Sequence, residues 1–480
     1  MKVLEAACEV LEPDADQRAR VRDQVIRYSE KFLEEIDTKK AYVTDPDKGA
    51  GLLDSPLQED GCDISEALEL IGKHVDTPGL NPASGGHLGY VPGGGIYFSA
   101  LGDYLADVSN RYAGIFFASP GAVRMENQLI EWMAGMVGYP SDCAGNLASG
   151  GSIANLIALV TARDAKQIEA SNITKSVIYL SPQVHHCLFK AIRIAGLREC
   201  IVRHIDLDPN HRINTGHLEG LIRQDLADGL HPWLVIASAG TTDTGAVDPL
   251  DSIGDLANRY DLWYHVDAAY GGFFALCEEG KRKLKGMEQS DSIVIDPHKG
   301  MFLPYGLGAV LIKDREKMFA SHHYQANYMQ DANRNAEIAS PADLSPELTK
   351  HFRGLRMWLP LKLHGAKPFR AAAEEKLLLA NYFYDGLKEI SGFEVGAPPD
   401  LSVVLFRYVP ANGDVNAFNQ RIVDKVIEDG RFFFSSTTVN GKFMLRVCIL
   451  AFRTHKQMID LALSILKDTV NALESDHAIV

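Results

Sequence analysis

The sequence predicts an α/β fold with a mostly parallel central sheet, led in by a helical segment and followed by a small C-terminal α+β domain. Three observations carry this. Five short runs, 177–180, 234–237, 263–266, 292–295 and 309–312, are near-continuously apolar rather than alternating, the pattern of strands covered on both faces. Helical segments separate several of them. Beyond Pro368 the character changes: helices at 371–387, 414–429 and 456–473 interleave with strands at 402–408, 432–439 and 442–450, the last two joined at Asn440-Gly441, a hairpin turn signal.

The leading segment, to about residue 40, places Val21, Val25, Ile26, Tyr28, Phe32, Leu33 and Ile36 on one helical stripe among charges, and such a stripe needs a surface to cover it. An extended stretch (41–57) and a helix (64–75) follow. Gly85–Gly95 is dense in glycine but carries His87, Tyr90 and Val91, so it reads as a loop letting backbone approach a ligand or partner rather than as a linker. A helix is expected over 121–137. The expected division is 1–80, 81–367 and 368–480.

The chain has 480 residues, 46% hydrophobic and 23% charged, with a formal net charge of −15. That balance is ordinary for a globular protein and unsuited to nucleic acid or anionic membrane by bulk charge. Seven cysteines without a CxxC pair point to reduced thiols and the cytoplasm. The N-terminus meets acid too early for a secretory signal, and no apolar run approaches the ~20 residues of a membrane span.

Lys299 lies at the end of the apolar run Ser292–Ile295, after Asp296-Pro297-His298. A lysine with apolar flanks loses its proton on desolvation and then attacks carbonyls; the alternative is a structural lysine. Ser149-Gly150-Gly151-Ser152 opens an apolar helix, and glycines and serines there either hold phosphate or simply cap the helix. No Gly-Lys-Ser/Thr ending follows, which excludes a nucleotide P-loop. Asp267 ends the strand His265-Val-Asp267, followed by Ala268-Ala269. A carboxylate buried there either pairs with a cation such as a pyridinium nitrogen, the small Ala269 letting a flat ring lie close, or is hydrogen-bonded for structure. His185-His186 opens another helix and can stack on a ring or relay protons. His185, His186, His265, Asp267 and His298 are the rival metal set, disfavoured because neither HxxxH nor HExxH spacing exists. Gly240-Thr-Thr-Asp-Thr-Gly245 places hydroxyls at the same sheet edge, and Tyr328 lies in a long polar loop as either a proton donor or a surface residue.

In this order the motifs resemble the pyridoxal-phosphate-dependent group II amino acid decarboxylases, the family of aromatic-L-amino-acid, tyrosine, tryptophan and glutamate decarboxylases, from about Asn81 to Arg453. The resemblance implies the aspartate-aminotransferase-like fold (fold type I), a homodimer with its sites at the interface, and pyridoxal 5'-phosphate on a Lys299 Schiff base. It implies that Asp267 pairs with the pyridinium nitrogen, His185 stacks on the ring, and Gly150, Gly151, Ser152, Asp296 and His298 hold the phosphate. Ala269 underlies the ring, Thr242 lies close, and Tyr328 matches the family's loop tyrosine that protonates carbon. His87, Tyr90, Gly93 and Phe116 fall in the substrate pocket. No metal is implied. Gly300 stands where the family has tryptophan, Gly93 where it has a polar residue, and Cys187 where serine is common. These departures leave the substrate open. The expected reaction releases carbon dioxide and an amine from an aromatic L-amino acid; the alternatives are oxidative decarboxylation-deamination to an aldehyde, or an aliphatic or acidic substrate.

Overall fold

A computed structural model describes residues 1–324 and 338–477. Seven strands form the main sheet: β1 (Ala144–Ala148), β2 (Ser176–Leu180), β3 (Ile201–His204), β4 (His231–Ser238), β5 (Trp263–Asp267), β6 (Ser292–Ile295) and β7 (Gly308–Ile312), in the spatial order β1-β7-β6-β5-β4-β2-β3. Pairing is parallel from β6 through β5, β4 and β2 to β3. Alternate residues feed two cores. Val235, Tyr264, Val266, Ile293 and Leu311 pack on one face, and Leu234, Ile236, Trp263, Val294 and Val310 on the other. Burial on both faces is what made these runs continuously apolar.

The strand 309–312 is not parallel. It runs against both β6 and β1, with Ile295 opposite Ala309 and Ala148 opposite Gly308. The link from β6 holds only the one-turn helix Pro297–Gly300, too little structure for a crossover back to the starting edge. Consequently β1, β2, β4, β5 and β6 all end at one edge, where the loops 149–153, 185–187, 238–242 and 267–270 and the turn 296–299 gather.

The smaller sheet orders β8 (Phe393–Val395), β9 (Val403–Tyr408), β11 (Lys442–Cys448) and β10 (Ser435–Val439), all antiparallel. Helices Lys367–Lys388, Val415–Asp429 and Lys456–His477 accompany it. The leading segment is broken into Lys2–Cys8 and a longer helix, Ala15–Glu34, whose start is a capping box between Asp14 and Gln17; Val21, Val25 and Ile26 on that helix remain exposed.

The glycine segment 85–95 serves a purpose the sequence did not reveal. It is stitched to the small sheet's surroundings: Leu88 N–H donates to Phe433, Phe433 N–H to Gly86, and Cys448 N–H to Leu88. A Cβ on Gly86 would lie 2.3 Å from the Arg431 carbonyl oxygen, and one on Gly93 2.1 Å from that of His298. The glycines admit another part of the chain's own backbone.

Candidate active site

Five loops at the carboxyl edge of the sheet enclose a cavity of about 350 Å³. Gly150, Gly151, Ser152, His185, Thr242, Asp267, Ala269, Asp296, His298 and Lys299 all line it, so every expected cofactor residue converges on one space. Convergence at strand ends follows from the architecture, because side chains there escape the packed interior of the sheet.

Lys299 belongs to the one-turn helix at the end of β6, and its Nζ lies 3.0 Å from Asp296 Oδ2. Desolvation pulls the amine's pKa down, but the carboxylates of Asp296 and Asp267 outweigh it and hold the pKa above the ordinary lysine value. The expectation of a readily deprotonated lysine is therefore reversed in this state: burial came with counter-charges. Asp296, expected on the phosphate, instead faces this amine. Its other oxygen, Oδ1, is buried with no hydrogen-bond partner, and a carboxylate has no hydrogen to offer an anion.

Asp267 closes β5. Its Oδ1 accepts from the Ala269 N–H at 3.1 Å and its Oδ2 from Asn155 Nδ2 at 3.3 Å. Burial raises its pKa above the usual carboxylate range, against the pull of the Lys299 amine and the Ala269 N–H. His185 Nδ1 accepts from the Cys187 N–H at 3.3 Å, so a neutral ring carries its proton on Nε2. The ring is neutral because burial, then His186 and Lys299, bring its pKa to about 4. His298 Nδ1 donates to the Leu307 carbonyl at 2.5 Å, and burial lowers its pKa although Asp296 opposes this. Burial pushes the Cys187 thiol up to about 12, which leaves it unreactive.

The helix Gly151–Ala165 begins at this cavity with Gly150 as its N-cap and no side-chain cap. Its first N–H groups are thus free for an anion, where an ordinary start would have spent one on a Ser or Asp oxygen.

The four residues expected in the substrate pocket do not line this cavity. His87 is fully buried against Phe433 and Tyr90, with neither ring nitrogen hydrogen-bonded. Tyr90 is exposed, and its carbonyl is tied by Arg446, which also holds the Thr242 carbonyl, both at 2.7 Å. Gly93 borders a neighbouring cavity of about 290 Å³ that shares His298 and includes Leu303, Pro304 and Tyr305. Phe116 lies under the Arg124 guanidinium, 5.3 Å from the ring centroid. Tyr328 lies outside the described residues. Among the described residues no cluster of three metal-ligating groups exists: the Nδ1 and Nε2 atoms of His265 are both hydrogen-bonded, to Ser292 and Asn155. Ser149 and Thr241, expected only as members of their motifs, are in the wall as well, and sequence reasoning gave no role to Asn155, Ser238 and Tyr270, which also line it. Asn155 had a signal: it is polar on an apolar helix face, one turn beyond Gly151.

Two demands meet in this cavity. Its walls offer an amine that bonds carbonyls, with a carboxylate buried nearby, and open helix N–H groups suited to phosphate. A flat ring bearing an aldehyde, a basic nitrogen and a phosphate satisfies both, which defines the class as pyridoxal-phosphate enzymes. Residues 82–409 match the family model for the pyridoxal-dependent decarboxylase conserved domain, and the chain belongs to that family. It is 33% identical over 414 residues, 84% of each chain, to an aromatic-L-amino-acid decarboxylase of Bacillus atrophaeus. It is 31% identical over 396 residues, 80% of each chain, to tryptophan decarboxylase 2 of Oryza sativa subsp. japonica. The crystal structure of Oryza sativa TDC with PLP and tryptamine superposes with a TM-score of 0.91 at 24% identity, covering 96% of this chain and 99% of that one; at that identity the likeness speaks for fold type I. The protein is a pyridoxal-phosphate-dependent amino acid decarboxylase.

One consequence of burial concerns pH. Desolvation brings the pKa of His87 to about 4 and of His265 to about 3. Between pH 6.5 and those values the unfolded chain binds protons that the folded chain refuses. Each histidine then contributes nothing above pH 6.5 and costs about 1.4 kcal/mol per unit as pH falls through that window. Asp248, raised to about 7 by burial, works with the opposite sign, so the comparison is between variants. His87→Phe is expected to lose less melting temperature than wild type on going from neutral pH to near pH 4.5. Parallel melting curves for the two proteins would contradict the neutral, buried state of His87.

Proposed function

We propose that this decarboxylase acts on an aromatic L-amino acid, giving the amine and carbon dioxide, as a cytoplasmic homodimer in which Lys299 is the covalent anchor. The observation that carries the reading is Lys299 and Asp267 meeting in one cavity that an uncapped helix N-terminus also lines. Bound pyridoxal phosphate supplies the electron sink for the pair left when the carboxylate departs.

The chain's own groups take the other roles. Lys299 would hold the cofactor through its carbonyl carbon. Asp267 would balance a protonated ring nitrogen. His185 would stack on the ring, where its neutral state avoids placing a second cation. The N–H groups opened by Gly150 and Gly151, with the Ser152 hydroxyl, would receive the phosphate, with His298 beside them. Ala269 would leave room for the ring, and Thr242 would lie close to it. The α-carbon takes its proton from Tyr328, by its match to the family's loop tyrosine, or from His185 Nε2.

The substrate class follows from what the walls lack. Among the described residues lining the two adjoining cavities, Lys299 is the only lysine or arginine, so an acidic side chain would be buried without a counter-charge. Tyr90, Tyr97, Phe98, Phe116 and Phe117 line neither cavity within one subunit, and we assign their aromatic surface to the pocket of a partner subunit across the dimer interface. The exposed stripe Val21, Val25, Ile26 is the face we assign to that interface, with 1–80 wrapping the partner, 81–367 carrying the cofactor and 368–480 flanking the site. Free cysteines throughout suit a reducing compartment.

The test is the visible spectrum before and after borohydride, peptide mapping, and a panel of amino acids scored for carbon dioxide and peroxide. Pyridoxyl on Lys299 with carbon dioxide from an aromatic amino acid, and no peroxide, is expected. Peroxide in step with carbon dioxide would replace simple decarboxylation by the oxidative reaction, and preference for glutamate or an aliphatic amino acid would overturn the aromatic assignment.

A further inference from the structure

Beneath Asp267 runs an unbroken chain of buried hydrogen bonds. Trp263, His265 and Asp267 alternate on β5 and so project to one face, toward the helix Gly151–Ala165. Trp263 Nε1 lies 2.9 Å from Ser292 Oγ, Ser292 Oγ 2.8 Å from His265 Nδ1, His265 Nε2 2.8 Å from Asn155 Oδ1, and Asn155 Nδ2 3.3 Å from Asp267 Oδ2. His265 and Ser292 are register partners on adjacent strands. Trp263, His265, Asn155 and Ser292 are each 1% exposed or less, so solvent cannot substitute for any link.

The direction of every bond is determined from the two ends. An indole nitrogen only donates, and an ionised carboxylate only accepts. Trp263 therefore donates to Ser292, and Ser292 turns its own hydrogen to His265 Nδ1. The neutral imidazole then carries its proton on Nε2 and donates to the Asn155 carbonyl oxygen. That bond fixes the amide so that its NH₂, not its oxygen, meets Asp267. The reversed amide would set oxygen against carboxylate. Burial holds His265 neutral, with a pKa of about 3, as this directionality requires.

We propose that Asn155 is a positioning residue, oriented by His265, Ser292 and Trp263, which keeps Asp267 ionised and aimed for the ring nitrogen of pyridoxal phosphate. This rests on the cofactor reading above. The chain opposes the desolvation that would otherwise protonate Asp267, since hydrogen bonds to the charged form of an acid favour that form. A donor to a charged group is worth about 1.5–3 kcal/mol, or about ten- to a hundredfold.

The test compares shape-matched pairs. Asn155→Thr keeps a donor and Asn155→Val does not; His265→Gln keeps a donor toward Asn155 and His265→Leu does not. The full-length proteins are stripped of cofactor and titrated with pyridoxal phosphate, the visible band is followed against pH, and apoprotein melting is recorded. Within each pair the donor-less member is expected to bind about tenfold more weakly, with a displaced pH midpoint of the band and a melting temperature like its mate's. If the members of both pairs bind alike with the same midpoint, or differ only in melting temperature, the positioning role is overturned. The histidine pair decides the matter if the asparagine variants do not fold. Wild-type protein that takes up no pyridoxal phosphate would instead overturn the cofactor reading, and this proposal with it.

Discussion

Lys299→Ala is expected to abolish carbon dioxide release, by at least about 10⁴-fold, the order seen when a covalent catalytic residue is deleted. No second amine is at hand: Lys299 is the only lysine among the described residues lining the cavity. The substitution has a structural cost as well. Asp296 is 1% exposed, its Oδ1 lacks a partner, and its Oδ2 depends on the Lys299 amine at 3.0 Å. Removing the amine strands a buried carboxylate, and breaking such pairs costs several kcal/mol. Lys299→Arg separates the two effects, since guanidinium keeps the charge but cannot condense with the carbonyl. It should be inactive and fail to trap cofactor with borohydride, while melting closer to wild type than the alanine variant does. Turnover by either variant within tenfold of wild type would remove Lys299 from its covalent role.

The site was legible because its residues occupy the ends of apolar runs, where a polar group has little reason to be unless it acts. Asp267 after His265-Val266 and Lys299 after Ser292–Ile295 carry that signal in a few adjacent letters. The direction of β7 was not legible: an interior antiparallel strand is as apolar on both faces as a parallel one, and pattern reports burial alone. Strand β1, Ala144-Gly-Asn-Leu-Ala148, contains glycine and asparagine, which lower strand propensity; it is a strand because β7 offers its backbone a partner. What the glycines at 86 and 93 make room for, a ligand or a partner by the sequence, was not legible, because the carbonyls of Arg431 and His298 that fill the space are distant in sequence. The protonation of Lys299 was not legible for a local reason. Apolar flanks signal desolvation, whereas the counter-charge that outweighs it comes from Asp296, three residues back, together with Asp267.

Asp267→Asn tests the remaining ambiguity, since a buried aspartate at a strand end is either a partner for a ring nitrogen or a structural hydrogen-bonding group. The amide is nearly isosteric, and its oxygen can still accept from the Ala269 N–H or from Asn155 Nδ2, the two donors seen on the carboxylate. Being neutral, it avoids the desolvation that raises the Asp267 pKa. Stability of the apoprotein should therefore hold or rise. Activity should fall by about 10²- to 10³-fold, the scale for removing one preorganised electrostatic partner from a buried site, because an amide cannot balance a positive charge on the ring. The two readings predict opposite pairs of outcomes. A functional Asp267 gives an intact fold and a slow enzyme, with the loss in kcat. A structural Asp267 gives a lowered melting temperature and near-normal turnover in the fraction that folds. The second result would break the link between the carboxylate and the ring, and would leave the hydrogen-bond chain through Asn155 and His265 as scaffolding for the sheet alone.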